Sequence, residues 1–133
     1  MSGELRVLIV DDNVDVARTL AALVVQWGHD VRVTHSASQA LRQSAEFLPR
    51  VAIIDLGLPD LHGYTLSRAL RNEAKDRALY VIAITGWSHI ADQVKSAASG
   101  VHHNLMKPIN LDMLKEILGA YEAAEVAHST APG

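Results

Sequence analysis

The sequence contains no cysteine, no long apolar run and no excess of positive charge. Without cysteine, a disulfide framework, a thiol nucleophile and a thiolate zinc site are all excluded. No apolar stretch reaches the ~18 residues of a membrane span, and the start, MSGELR, lacks a signal-peptide pattern. The net charge of −3 gives no broad attraction to nucleic acid or to an anionic membrane. We therefore expect a cytoplasmic protein that binds neither nucleic acid nor membrane.

The composition is that of an ordinary globular domain. Of the 133 residues, 49% are hydrophobic and 20% are charged, which is enough apolar material for one core. We assign residues 1–123 to a single domain. Residues 124–133 become small and polar, and we expect them to form a flexible tail.

Short apolar segments alternate with longer amphipathic ones along the domain. The predicted strands are Arg6–Val10, Asp30–Thr34, Val51–Ile54, Tyr80–Ile84 and Asn104–Met106. The predicted helices are Val14–Trp27, Ala37–Ala45, Tyr64–Asn72, Ile90–Ala98 and Leu111–Ala123. Strict alternation of strand and helix predicts an α/β fold, a parallel sheet with helices on both faces.

Strand composition predicts the order of the sheet. The first, third and fourth strands are continuously apolar, as strands buried on both faces must be. The second alternates between apolar and polar residues, and the fifth is short and partly polar, which is typical of edges. With right-handed crossovers, the doubly wound order 2-1-3-4-5, a flavodoxin-like (βα)5 arrangement, satisfies these assignments.

Polar residues follow four of the five strands at the point where each strand ends. Asp11 and Asp12 follow the first strand, Asp55 the third, Thr85 the fourth and Lys107 the fifth. Open parallel sheets bind ligands at this edge, so we expect these side chains to form one site. Three carboxylates and an ammonium group suit a hard cation such as Mg²⁺ together with an anion. A carboxylate beside the metal could attack a phosphoryl group, and Lys107 and the Thr85 hydroxyl could stabilise the transferring oxygens.

The residues of this edge resemble the receiver domain of two-component response regulators, of the chemotaxis-regulator type. The resemblance runs from about Arg6 to Tyr121 and is carried by four motifs in register, VDDN (Val10–Asn13), IIDLGLPDLHGY (Ile53–Tyr64), AITGW (Ala83–Trp87) and MKPIN (Met106–Asn110). In the character of these motifs the chain resembles receivers attached to hybrid histidine kinases and their stand-alone relatives.

The resemblance implies a role for each residue of the site. Asp55 would be the phosphoacceptor, and Asp12, Asp55 and the Gly57 carbonyl would bind Mg²⁺, for which Mn²⁺ can substitute. Asp11 would act on the metal through water. Thr85 and Lys107 would hold the phosphoryl group. The Lys107–Pro108 peptide bond would be cis.

One position departs from the family pattern. Receivers often carry a switch tyrosine or phenylalanine three residues before the lysine, and this chain has Asn104 there. Trp87 is either surface packing or a partial lid over the acceptor. Asp60 and Gly63 are interpreted as loop and turn formers rather than ligands.

The resemblance implies a phosphoacceptor that takes its phosphoryl group from a sensor histidine kinase or a histidine phosphotransfer protein. Such a module catalyses only its own phosphorylation and dephosphorylation. A flavin protein would need a Ser/Thr/Gly-rich loop after the first strand, and a haloacid-type phosphatase would need the motif Asp-x-Asp there. A nucleotide hydrolase would need a P-loop. None of these motifs is present. A degenerate receiver that serves as a binding scaffold is a weaker alternative.

The output of such a module is expected to be contact with another protein, whose identity the sequence does not give. After the last predicted helix only a short segment remains, too little for a DNA-binding domain. The chain would then be either a single-domain regulator or a receiver taken from a hybrid kinase.

Overall fold

The structure is a computed structural model that describes residues 4–86 and 100–129. Its five strands are β1 (Arg6–Val10), β2 (Asp30–Thr34), β3 (Val51–Asp55), β4 (Tyr80–Thr85) and β5 (His103–Met106). The helices of the described part are α1 (Val14–Gln26), α2 (Ala37–Phe47), α3 (Gly63–Ala74) and α4 (Leu111–Ser129). The helix predicted over Ile90–Ala98 lies outside the described residues, as does Trp87.

All pairings in the sheet are parallel, and the strand order is β2-β1-β3-β4-β5. This confirms the predicted order, with the continuously apolar strands β1, β3 and β4 in the centre. Every residue of β3 is buried, whereas β2 alternates between exposed and partly buried positions. The predicted strands match those observed to within one residue at each end.

Two apolar clusters cover the two faces of the sheet. The first packs α1 and α4 against one face and includes Leu20, Val24, Leu114 and Leu118. The second packs α2 and α3 against the other face, with Leu66 and Leu70 among its fully buried members. Both clusters take side chains from β1, β3 and β4, so each central strand is buried on both sides.

Side-chain caps fix where the helices begin. Asn13 accepts a hydrogen bond from the Val16 amide, and Ser36 accepts one from Gln39. Asn110 does the same for Met113. Asn13, Ser36 and Asn110 therefore cap their helices, which start directly after the strand-end loops.

The predicted end of the last helix is wrong. We expected it to stop at Ala123, but α4 continues to Ser129, so residues 124–129, which we placed in the tail, are helical. The reason is local, because half of residues 124–129 (AEVAHS) are alanine or glutamate, which favour a helix, and no proline occurs before Pro132. The bounds predicted for α1 to α3 lie within two residues of those observed. Within the described residues, no helix has the length and apolar character needed to cross a membrane.

Candidate functional site

The carboxyl ends of four strands place the predicted site residues along one edge of the sheet. Asp11 follows β1 directly, Asp55 is the last residue of β3, and Thr85 is the last residue of β4. Lys107 follows β5, and its amide donates a hydrogen bond to the Thr85 carbonyl at 2.8 Å. The parallel register of the strands thus produces the convergence that the sequence predicts.

Three carboxylates meet at the centre of this edge. Asp11, Asp12 and Asp55 each offer an oxygen, and these oxygens lie within 4.8 Å of one another. Asp11 and Asp55 are buried, with 3% and 7% of their surface exposed, whereas Asp12 is open to solvent. Like charges at this separation repel, so the cluster needs a cation to offset it.

Backbone amides orient the two buried carboxylates. Asn13 donates its N–H to Asp11 Oδ1 at 2.9 Å, and Gly57 donates its N–H to Asp55 Oδ1 at 2.9 Å. Each bond spans two residues, so the loop after each strand folds back onto the acid that precedes it. Each acid keeps its second carboxylate oxygen for other partners.

Lys107 supplies the positive charge of the site. Its Nζ lies 3.1 Å from Asp55 Oδ2, and 42% of the lysine side chain is exposed. The Lys107–Pro108 peptide bond is cis, as the family resemblance implies. The lysine therefore pairs with the one acid that is already oriented by Gly57.

Burial raises the pKa of Asp11 above its ordinary value, and the neighbouring Asp55 carboxylate raises it further. The Asn13 amide and the Lys107 ammonium oppose this rise. Because the net shift is upward, the ionised form of Asp11 costs folding free energy in the metal-free protein. A divalent cation would relieve that cost.

The donor set fits such a cation. Carboxylate and carbonyl oxygens are the ligands that Mg²⁺ prefers, in an octahedron completed by water and phosphate oxygens. The Gly57 carbonyl belongs to the exposed residue two positions after Asp55. The chemistry of these groups therefore agrees with the metal implied by the sequence.

Asn104, which stands where the family often has an aromatic residue, contacts an aromatic residue of α3. The hydroxyl of Tyr64, a buried residue in the first turn of α3, donates a hydrogen bond to Asn104 Oδ1 at 3.2 Å. A ring from α3 thus reaches the β5 position where the family often has its own ring. Sequence reasoning missed this contact because its partners are 40 residues apart.

The contacts of two further polar residues near the site were also not predicted. Asp60 accepts hydrogen bonds from amides of α2, and His35 contacts the Asp11 carbonyl. The interpretation of Asp60 as a loop former agrees with its contacts but did not include its partner. Nothing in the local sequence indicates that these residues connect different loops.

Comparison with known proteins identifies the family. Residues 7–119 match the response regulator receiver domain family. The virulence transcriptional regulatory protein PhoP of Salmonella choleraesuis is 35% identical over 108 residues, which is 81% of this chain and 47% of that protein. The chain thus spans about half the length of the PhoP proteins that it matches.

Solved structures share the fold. A CheY-like response regulator receiver domain protein from Methanospirillum hungatei superposes with a TM-score of 0.79 at 25% identity, covering 92% of this chain and 98% of that one. The receiver domain of the Saccharomyces cerevisiae response regulator Ssk1, solved with the histidine phosphotransfer protein Ypd1, gives a TM-score of 0.84 at 23% identity, covering 95% and 94% of the two chains. At that identity the second likeness shows the fold alone. Because the family match extends over most of its residues, this chain belongs to the response regulator receiver domain family.

Proposed function

We propose that the chain accepts a phosphoryl group on Asp55 in a Mg²⁺-dependent reaction and signals by contact with another protein. The observation that carries this proposal is the 3.1 Å contact between Lys107 Nζ and Asp55 Oδ2 within a cluster of three carboxylates. The three carboxylates would bind a cation, and the ammonium group of Lys107 would bind an anion. A phosphoryl group together with its metal ion supplies both.

Three groups would hold the metal. Asp12, Asp55 and the Gly57 carbonyl would bind Mg²⁺ directly, with Mn²⁺ as a substitute, and Asp11 would act through water. Bound there, the ion would neutralise charge on the transferring phosphoryl oxygens. The raised pKa of Asp11 supports this arrangement, because burial and then the neighbouring Asp55 carboxylate disfavour the ionised form of Asp11, which a bound cation would favour.

Asp55 is the nucleophile in this proposal. One of its carboxylate oxygens forms a bond to phosphorus while the phosphorus–nitrogen bond of the donor's phosphohistidine breaks. The electron pair of that bond stays on the imidazole nitrogen, and the product is an acyl phosphate on Asp55. The Gly57 amide and Lys107 hold the carboxylate in one orientation before the reaction.

Thr85 and Lys107 would stabilise the phosphoryl oxygens. Both lie at the same edge, linked by the hydrogen bond from the Lys107 amide to the Thr85 carbonyl. Their hydroxyl and ammonium donors would balance negative charge as it develops in the transition state. Water later cleaves the acyl phosphate, so the chain would catalyse only its own modification and its reversal.

An apolar surface beside the site supports a protein as phosphoryl donor. A surface cavity of about 300 Å³ lies between α1 and the start of α4, lined by Val16, Leu23, Ile109 and Leu111 among others. Leu111 is 42% exposed, which is unfavourable for a large apolar side chain in water. We propose that a sensor histidine kinase or a histidine phosphotransfer protein covers this surface; a partner of the second kind, Ypd1, was co-crystallised with the Ssk1 receiver domain.

The output of the chain is proposed to be a protein contact in the cytoplasm. The PhoP relatives are named as transcriptional regulators, but this chain corresponds to only about half of their length. A stand-alone regulator and a receiver within a hybrid sensor kinase both fit the site. In either case the conformation around phosphorylated Asp55 would be read by another protein.

Intact-mass measurement after incubation with acetyl phosphate tests the proposal. We expect one added phosphoryl group in the presence of Mg²⁺ and none after chelation. The Asp55→Asn variant should stay unmodified, while Asp76→Asn, at an exposed acid after α3, should react like wild type. Full modification of Asp55→Asn would show that another residue is the acceptor. An unmodified wild-type protein would instead favour the scaffold alternative.

A further inference from the structure

The loop that carries Gly57 is attached at its far end to another helix. Asp60 Oδ1 accepts a hydrogen bond from the Ala37 amide at 3.1 Å, and Asp60 Oδ2 accepts one from Ser38 at 3.3 Å. Ala37 and Ser38 are the first two residues of α2, whose amides have no acceptor within the helix. The Ala37 amide, and then that of Ser38, hold the pKa of Asp60 below its ordinary value. One carboxylate thus joins the loop after β3 to the start of α2.

The loop that carries Asp11 is attached to the same end of α2. His35 Nδ1 lies 3.0 Å from the Asp11 carbonyl oxygen, and because a carbonyl can only accept, the histidine nitrogen is the donor. The His35 amide donates to Gln39 Oε1 in the first turn of α2 at 2.9 Å. The loop after β1 and the loop after β3 are therefore both hydrogen-bonded to the residues around the start of α2.

The other contacts described for the β3 loop lie at its base and at Leu58. The Leu56 amide donates to the Ile84 carbonyl at 3.0 Å, and Gly63 closes the loop against Leu56 so tightly that a Cβ at Gly63 would lie 2.7 Å from Leu56 Cα. Leu58 is buried in the apolar cluster beneath. Asp60 adds the polar attachment beyond Leu58, toward α2.

We propose that His35 and Asp60 are positioning residues that hold the loop carrying Asp11 and the loop carrying Gly57 at a fixed separation, so that the metal site is formed before the metal arrives. This inference rests on the proposed function. It adds that the start of α2 acts as the common support of the two loops. The support opposes the mutual repulsion of the three carboxylates, which would otherwise move the loops apart in the metal-free protein.

The consequence is a dependence of metal affinity on residues that do not bind the metal. Groups that hold metal ligands in place typically change affinity by about 10- to 100-fold when removed. Asp60→Ala removes the link to Ala37 and Ser38, and His35→Ala removes the link to Asp11. Each should weaken Mg²⁺ binding by roughly tenfold, at the lower end of that range, because the apolar packing of Leu58 remains.

The experiment is a calorimetric titration of the unphosphorylated full chain with Mg²⁺, combined with amide hydrogen exchange of the metal-free protein. The matched control is Ser36→Ala, which removes the cap of the same helix but neither link. The milder variants are Asp60→Asn, which keeps an acceptor oxygen, and His35→Asn, whose amide nitrogen can replace the histidine donor. These variants keep the test valid if an alanine variant does not fold.

The expected result is weaker Mg²⁺ binding and faster exchange of the Gly57 amide in Asp60→Ala, with partial recovery in the asparagine variants and wild-type affinity in Ser36→Ala. Equal losses in Ser36→Ala would overturn the proposal, because helix stability alone would then explain them. Unchanged affinity in both alanine variants would also overturn it while leaving the proposed function intact. A wild-type chain without Mg²⁺ affinity would overturn both.

Discussion

The two edges of the sheet differ in how their polar side chains are paired. At the carboxyl edge, Asp11, Asp12 and Asp55 share a small space with the ammonium group of Lys107. At the amino edge, by contrast, the buried His29 has complementary partners. His29 Nδ1 accepts from the Leu5 amide at 3.3 Å, and its Nε2 lies 3.7 Å from Glu122.

The amino edge also anchors the long last helix. Arg50 pairs with Glu125 at 3.6 Å, and Tyr80 stacks on Tyr121 with ring centres 4.1 Å apart. These contacts join α4 to the starts of β3 and β4. The comparison indicates that the amino edge contributes stability, whereas the carboxyl edge concentrates like charges, which cost stability in the metal-free protein.

The largest effect is expected when the positively charged side chain of Lys107 is removed from the carboxyl edge. Lys107→Ala leaves Asp55 without its 3.1 Å partner and would remove one of the two proposed donors, Lys107 and Thr85, to the phosphoryl oxygens. We expect phosphorylation by acetyl phosphate at fixed Mg²⁺ to slow by about 100-fold, the range for losing one stabilising donor. Lys115→Ala, at an exposed position of α4, is the control and should keep the wild-type rate. A rate for Lys107→Ala within twofold of wild type would contradict the role of the lysine.

A smaller effect of opposite sign is expected when charge is removed from the same edge. The pKa of Asp11 is raised in the folded chain, so at neutral pH its ionised form costs stability. Asp11→Asn removes the charge and keeps an acceptor for the Asn13 amide, and we expect the metal-free protein to gain about 1 kcal/mol.

Thermal melts with and without Mg²⁺ measure both consequences of this change. The variant should melt at a higher temperature without metal and gain less from Mg²⁺ than wild type does. Asp76→Asn, at an exposed acid after α3, should alter neither melt appreciably. A destabilised Asp11→Asn would show that the charge is already balanced in the metal-free state.

The smallest effect concerns pH at the amino edge. Burial lowers the pKa of His29 below its ordinary value of 6.5, although Glu122 and Glu4 oppose the shift. As pH falls through 6.5, the unfolded chain takes up a proton before the folded chain does, so stability falls until the folded pKa is reached. In His29→Gln the part of this loss of stability that comes from His29 should be absent. For one histidine that part is at most about 1.4 kcal/mol per pH unit.

Urea unfolding between pH 7 and pH 5 measures this difference as the slope of stability against pH. Other histidines, such as His102, contribute to both slopes and cancel in the comparison. Glu122→Gln sharpens the test, because losing the opposing carboxylate should steepen the slope. Identical slopes for wild type and His29→Gln would show that His29 is not held neutral by burial.

Much of the carboxyl edge could be predicted because it depends on chain direction and on the order of the strands. In a parallel sheet every strand ends at the same edge, and the order β2-β1-β3-β4-β5, which strand composition predicts, brings the ends carrying Asp11, Asp55 and Lys107 near one another. The contact of Tyr64 with Asn104 could not be predicted, because it joins elements whose relative distance is set by packing.

The links made by His35 and Asp60 were missed for a related reason. Each is a hydrogen bond between a side chain and a backbone atom about 23 residues away. Every residue has the same backbone atoms, so the sequence does not indicate which of them a side chain will contact. The end of α4 was missed because alanine and glutamate suit a helix as well as a solvated tail, and contacts such as Arg50 with Glu125 favour the helix.

The position of β1 in the middle of the sheet has a consequence for synthesis of the chain. Both of its neighbours are made later, since β2 begins at Asp30 and β3 at Val51. The apolar segment Val7–Val10 therefore leaves the ribosome without a partner and is prone to aggregate until β3 follows. Asp11 and Asp12 flank that segment with negative charge, which is how aggregation-prone strands are protected. The same acids that would bind the metal thus protect the nascent chain before any site exists.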